Sequence, residues 1–511
     1  MTEWSGGYVS DIEYTTGFYR ELSPLFLSFA AGLQRCRTLD ISRPFNYCEL
    51  ACGQGFGTTL LAAAYPHGQF TGIDFNPAHI AGARALAADA NLTNVTFREE
   101  SFEDALSASE AELPHQDIIA LHGTYTWISR ENRQAIVRFI EKKLKPGGLV
   151  YVSYNAMPGW LPMLPIQYLM QAYARHNPDR SDRQAAAALS FIDELGGADT
   201  NFFTSNPGVG PRLKSTRGKD PSYLSHEYMN EGWEPLYHTD VVRDMAAAKL
   251  DFTGSAALLE NFDVLTVPEK ARKMQAEVKD PAFRELIKDY AINQQFRRDI
   301  FVKGQRRMPE IEQRTAFENM RFVALRTRSD MTFQFQTALG EANGQEAIYA
   351  PVADALAAGP RQVGELRAAA GVDMAQITQV LAALTSSGQI HPMLPEVSHH
   401  ARDAARSLNR AIARRALMGE PYRHMAAPVI GNGISASDVE MAAFDALSRT
   451  RLTTADDLGK AMWDRFRQVG RRLMKEGKPL ETDAENLAEL QERAGVILEK
   501  RVPVWESLGI L

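Results

Sequence analysis

The strongest constraint on this chain is the run Tyr47-Cys48-Glu49-Leu50-Ala51-Cys52-Gly53-Gln54-Gly55-Phe56-Gly57. Phe45 to Ala51 is a short apolar run carrying an acid near its end, the pattern of a buried strand, and Thr58 to Tyr65 continues as a helix. Strand, glycine turn and helix make the entrance to a nucleotide site. Gly53 and Gly55 let the backbone pass close to a ligand where a Cβ would clash, and the amides at the helix start face an incoming carboxylate or phosphate. A second strand ends in Gly72-Ile73-Asp74, its acid placed to accept hydrogen bonds from both hydroxyls of a ribose. A dinucleotide fold wants G-x-G-x-x-G, whereas the sixth position here is Thr58 and Gly57 comes one residue early, which disfavours a nicotinamide cofactor.

What fits, Glu49-x-x-x-Gly53-x-Gly55 followed by Asp74, resembles the class I S-adenosylmethionine-dependent methyltransferases, whose cofactor has no phosphate and does not need the third glycine. Ala51 stands where that family often has its first glycine. The resemblance implies S-adenosyl-L-methionine as cofactor, held by Glu49, Ala51, Gly53, Gly55, Asp74 and Phe75, with Phe75 packing on the adenine. It also implies an adenine site after the third strand, where Ser101 replaces the usual Asp and leaves recognition more to backbone groups and Phe102. His122 and Gly123, after the fourth strand, complete the expected set.

The 511 residues suffice for about three ordinary domains or two larger ones. A net charge of -7 and a pI near 6.0 argue against a protein built chiefly to coat nucleic acid. Of the three cysteines, Cys48 and Cys52 lie in the strand and loop of the site, where a bridge would distort it, so a reducing cytoplasm is the simpler setting. No Cys or His pair follows them at ligand spacing, so no metal is expected. No apolar run reaches membrane-spanning length, and the polar start Met1 to Gly7 lacks the regions of a secretion signal. A cytoplasmic protein without membrane insertion is expected.

The alternation from Phe45 to Tyr154 predicts five strands interleaved with helices, whose carboxyl edge is the site. Asn76-Pro77 starts the second helix, Ser129 caps a helix running to Leu144, and Leu149 to Tyr154 is the fifth strand. Asp251 to Leu258 is expected as the sixth; Phe296 to Val302 and Met320 to Leu325 compete for the last. The predicted fold class is α/β, a doubly wound, mostly parallel seven-stranded methyltransferase sheet. Residues 1–44 are expected as a helical lid, with Phe18 to Leu33 amphipathic and Tyr8, Tyr14 and Tyr19 free to close over the pocket. The domain is drawn at 45–305, with a helical insertion over about 161–222 and a flexible loop at Phe202 to Lys219. Residues 306–511 are read as mainly helical, with a winged-helix-like unit over about 346–393.

His122-Gly123-x-Tyr125-x-Trp127 with Val152-Ser153-Tyr154-Asn155-x-x-Pro158-Gly159-Trp160 narrows the resemblance. It is similar to bacterial methyltransferases carrying a so-called regulatory domain, the group that includes rickettsial lysine methyltransferases acting on an outer-membrane protein. The likeness covers most of the chain and implies a protein substrate and a homodimer through the 161–222 insertion. No Lys or Arg lies between Arg367 and Arg402, so DNA reading by that winged-helix-like unit is disfavoured, and nucleic acid is not the expected partner. The basic series Arg402, Arg406, Arg410 and Arg414 reads first as a solvated face. Aromatic surface and polar tips at His122, Tyr125, Trp127, Tyr154 and Asn155 make these the candidate catalytic residues. The expected activity is in-line methyl transfer to protein lysine. The alternatives are a small-molecule or peptide methyltransferase and a non-catalytic, cofactor-sensing regulatory binding protein.

Overall fold

The computed structural model of the chain describes residues 6–198 and 200–511; most of the polar start Met1 to Gly7 lies outside them. Seven strands, β1 (Asn46–Leu50), β2 (Gln69–Asp74), β3 (Val95–Glu99), β4 (Gln116–Leu121), β5 (Leu144–Asn155), β6 (Leu250–Ser255) and β7 (Phe296–Lys303), form one sheet. Its order is β3-β2-β1-β4-β5-β7-β6, with β7 antiparallel to β5 and β6 and the other pairs parallel. Of the two candidates for the last strand, the Phe296 run is inserted between β5 and β6. The Met320 run instead supplies Arg321–Ala324 to a three-stranded sheet with Arg361–Gln362 and Ile390–Pro392.

The sheet is buried on both faces, and residue parity decides which core each side chain enters. Tyr47, Ile118, Ala120, Leu149, Tyr151, Ile300 and Val302 enter one core. Cys48, Leu50, Ile119, Leu121, Val150, Val152, Tyr154 and Phe301 enter the other. The first core runs without interruption into the C-terminal region, as far as Trp505 and Ile510.

Helix α1 (Pro24–Leu33) is the junction. The expected helix over Phe18 to Leu33 starts only at Pro24, because Ser23-Pro24 sets the first turn; residues 6–19 form no helix and run as a strap. Phe29 of α1 meets Phe322 edge-on at 5.5 Å, so the helix packs on the C-terminal region as well as on the sheet. Ahead of it, Arg20 donates to the carbonyls of Thr385 (2.8 Å) and Ser386 (2.5 Å), while Asn432 Nδ2 donates to the Arg20 carbonyl at 3.0 Å.

The remaining helices follow the strands: α2 (Phe56–Ala64), α3 (Pro77–Asp89), α4 (Phe102–Ser107) and α5 (Arg130–Lys143, capped by Ser129). The insertion holds α6 (Leu164–His176), α7 (Ser181–Gly197), α8 (Asn201–Ser205), α9 (Val209–Thr216) and α10 (Pro221–Tyr228). The loop expected over Phe202 to Lys219 is thus largely helical. Val209 and Leu213, four residues apart, bury beside Trp160 and Met163, and that burial outweighs the local Gly and Pro. Leu161, Tyr168, Phe191 and Phe202 stay exposed, the apolar surface on which the expected self-association would rest. Then comes α11 (His238–Ala246) ahead of β6. Among the described residues no helix is long and apolar enough to cross a membrane.

Arg20→Ala removes both carbonyl contacts and should free the strap. Amide exchange over residues 18–27 is expected to rise about tenfold, equivalent to about 1.4 kcal/mol of lost local protection, measured by hydrogen-exchange mass spectrometry.

Candidate active site

The carboxyl ends of β1, β2 and β4 open into a cavity of about 290 Å³. Seven of the ten expected cofactor residues line it: Ala51, Gly53, Asp74, Phe75, Ser101, Phe102 and His122. At Gly53, φ is +53° and a Cβ would project into open space, so the backbone is bare toward the cavity. Gly55 has another reason. A Cβ there would lie 2.5 Å from Ala83 Cβ and Phe97 Cε1, so this glycine admits close packing of α3 and β3 rather than a ligand. Ala51 also adopts a positive φ, +54°, at the start of the turn.

Asp74, at the end of β2, fixes the turn. Its Oδ2 accepts from Gly53 N at 2.9 Å, and Oδ1 accepts from Asn76 N at 2.9 Å with His79 Nδ1 at 3.2 Å. A carboxylate has about four lone-pair sites, so acceptor capacity remains for hydroxyls entering from the cavity. Glu49 lies behind the turn and does not line the cavity. Thr58 Oγ1 donates to it at 2.5 Å, and burial pushes its carboxyl up to about 7. Ser101 lines the cavity, but its hydroxyl is engaged in a capping box with Asp104 at the start of α4. Phe75 and Phe102 line the cavity with it.

At the end of β4, His122 is held from both sides. Its Nδ1 lies 2.8 Å from the Tyr151 hydroxyl, and its ring stacks on Tyr19 with centroids 3.6 Å apart at 21°. Burial, with Arg298 nearby, lowers it to about 3, so this imidazole is neutral at physiological pH. Gly123 lies behind the wall, its amide donating to Ser153 Oγ at 2.8 Å. Trp127 is on the wall, with Tyr14 edge-on at 5.5 Å.

The other three catalytic candidates are not on the cavity wall. Tyr154 enters the opposite core by strand parity, where its hydroxyl donates to Asp299 at 2.6 Å beside His238. Tyr125 sits in that same core and donates to Asp244 at 3.3 Å. Asn155 lies behind the wall, donating through Nδ2 to Glu227 of α10 at 2.6 Å. Tyr8 and Tyr14 of the strap do line the cavity, as the aromatic series ahead of β1 signalled. His79, Glu100, Thr124, Ile128 and Asn132 line it too. The only signal for His79 was its position one turn into α3 after Asp74.

The wall suits a nucleoside with a polar tail. The bare Gly53 backbone, the spare acceptor capacity of Asp74, two phenylalanine faces and the buried, unpartnered His79 Nε2 and Trp127 Nε1 all meet there.

A methyltransferase domain family matches residues 41–189, and the predicted methyltransferase regulatory domain matches 220–303. An uncharacterized protein of Synechocystis is 39% identical over 99% of each chain. A Rickettsia prowazekii protein, also uncharacterized, is 28% identical over 42% of this chain and 80% of its own length. In three dimensions the chain resembles PKMT2 from Rickettsia typhi in complex with AdoHcy, at 18% identity and a TM-score of 0.70, over 95% of this chain and 98% of that one. The chain belongs to the class I S-adenosylmethionine-dependent methyltransferases that carry a regulatory domain. The matched regulatory segment of this methyltransferase is part of the catalytic body: it supplies α10, α11, β6 and β7, the last two strands of the sheet.

In this methyltransferase, Asp74→Ala should weaken AdoHcy binding by about 1.5–3 kcal/mol, the scale of hydrogen bonds to a charged group, or roughly ten- to a hundredfold in Kd by calorimetry.

Glu49 allows a test by pH. Its folded-state value is raised, so the folded protein binds the proton more tightly than the unfolded one and loses stability as pH rises from about 4.5 to about 7. His122, His226, His391 and His424 are lowered and slope the other way, so the wild-type profile alone does not isolate it. The difference does. Without cofactor, Glu49→Gln should gain stability over wild type progressively between pH 5 and 7, reaching at most about 3 kcal/mol and then levelling, as read by thermal melts.

Proposed function

We propose that this methyltransferase acts on lysine side chains of a protein substrate. The observation that carries the reading is the aromatic wall at the end of β4, where neutral His122 is stacked on Tyr19, and Tyr14 meets Trp127 edge-on. Such a wall accommodates an apolar four-carbon stem and tolerates a cationic head through ring faces. A charged imidazole there would repel both sulfonium and ammonium. The full-length likeness to PKMT2 supports the same substrate class.

In this reading Asp74 holds the ribose hydroxyls, the Gly53 backbone lies along the nucleoside, and Phe75 and Phe102 enclose the adenine. The bound cofactor supplies the methyl electrophile and a thioether leaving group. The strap, through Tyr8 and Tyr14, excludes water, and His122 and Trp127 shape the acceptor side so that the nucleophile is held in line.

Radiolabelled methyl from S-adenosylmethionine should enter the protein fraction of a lysate of the source cell and be recovered as methyl-lysine after hydrolysis. Trp127→Ala should lower that incorporation at least about tenfold, with AdoHcy affinity changed less than threefold. Label confined to nucleic acid or small molecules, or on a residue other than lysine, would reject the proposal.

A further inference from the structure

Glu227, near the end of α10, is a buried ionisable group with no role so far, next to His226, whose ring packs on Tyr8 and Tyr14. Glu227 is 4% exposed, and its carboxyl accepts from Asn155 Nδ2 at 2.6 Å, with Tyr223 close by. Asn155 ends β5 on the same strand face as Ser153 and Tyr151, the residues that hold Gly123 and His122. The carboxyl therefore sits just behind the cavity wall, at the edge of the sheet that carries His122 and Gly123. The strap reaches it as well: Tyr14 lines the cavity and lies close enough to Glu227 to feel its charge, and Tyr19 is the ring stacked on His122.

What this carboxyl lacks is a counter-ion. Arg212 and Lys219 act on it through space without hydrogen bonding, and their cationic heads lie over Trp160 (4.8 Å) and Tyr223 (4.9 Å) instead. Asp299, equally buried, is paired with Arg297 at 3.0 Å, whereas Glu49, the other buried carboxyl raised to about 7 without a paired cation, lies behind the glycine turn and is closed off by Thr58. A buried carboxyl without a paired cation is costly when ionised. Burial accordingly pushes Glu227 up to about 7, and a cation entering beside it would be strongly favoured. Tyr14, Tyr19, Tyr223 and Tyr228 stand around it, a surface suited to an alkylammonium.

We propose that Glu227 receives the acceptor amine, holding the incoming ammonium at the sheet edge and taking a proton from it. This deepens the lysine reading and rests on it. The proton passes from Nζ to a Glu227 oxygen. The lone pair thus freed forms the bond to the methyl carbon as the C–S pair withdraws onto sulfur, which becomes neutral. Tyr14 has to yield for the amine to reach the carboxyl, so opening of the strap precedes acceptor entry.

The test compares two cofactor-site ligands by calorimetry: AdoHcy, which has no charge on sulfur, and sinefungin, in which an aminated carbon replaces the methylsulfonium and points an ammonium at the acceptor side. Glu227→Gln keeps an oxygen for Asn155 and removes only the charge. It should weaken sinefungin about tenfold while AdoHcy changes less than twofold, and Glu227→Asp should recover part of the loss. An unchanged sinefungin-to-AdoHcy ratio would overturn the proposal. Equal loss of both ligands in Glu227→Gln and again in Glu227→Asp would make the residue structural and overturn it as well. Selective loss of sinefungin together with label recovered on a non-lysine amine would keep the amine site and reject the lysine reading.

Discussion

The site depends on one short contact, the face of Tyr19 on the ring of His122, 3.6 Å apart. The two rings come from distant parts of the chain. His122 is fixed by the sheet, whereas Tyr19 belongs to a strap with no regular structure, whose neighbours on either side are held by the C-terminal region. Phe18 lies against His424 with centroids 5.2 Å apart, and Arg20 is bound by the carbonyls of Thr385 and Ser386. Three consecutive residues thus alternate between the C-terminal region and the active site. A disturbance around Thr385 and Ser386 therefore has a physical route to the His122 ring.

The same logic explains why the C-terminal region is not an appendage. One apolar core runs from the β1 side of the sheet through α1 and on to Trp505, so separating the two halves would expose a continuous apolar face. Polar contacts reinforce the seam: Ser23 Oγ donates to the Gly431 carbonyl at 2.8 Å, and Arg415 pairs with Asp89 at 2.6 Å. Residues 220–303, matched by the regulatory-domain family, likewise complete the sheet and bring Glu227 to Asn155. In this chain that segment is part of the methyltransferase sheet itself.

The sheet and the cofactor turn were legible because they rest on local rules: apolar runs, glycines and caps at Asn76 and Ser129. The acceptor side was less so, and strand parity is the reason. A doubly buried strand such as β5 carries apolar and aromatic side chains toward both faces, so its sequence does not say which face Tyr154 takes; the fold sends it to Asp299 and puts Ser153 and Asn155 on the face behind the cavity wall. Gly55 was read as room for a ligand because a glycine in a turn does not say what approaches it, and the close neighbours are Ala83 and Phe97, distant in sequence. Nothing in the local sequence marks Glu227, because its partner Asn155 lies 72 residues away.

A crystal structure of the AdoHcy complex tests the central claim most directly. The account predicts ribose hydroxyls within hydrogen-bonding distance of Asp74, adenine between Phe75 and Phe102, and sulfur facing His122 and Tyr14, with Tyr19 still stacked on the imidazole. AdoHcy bound away from Asp74, or with its sulfur turned from the His122 wall, would contradict it.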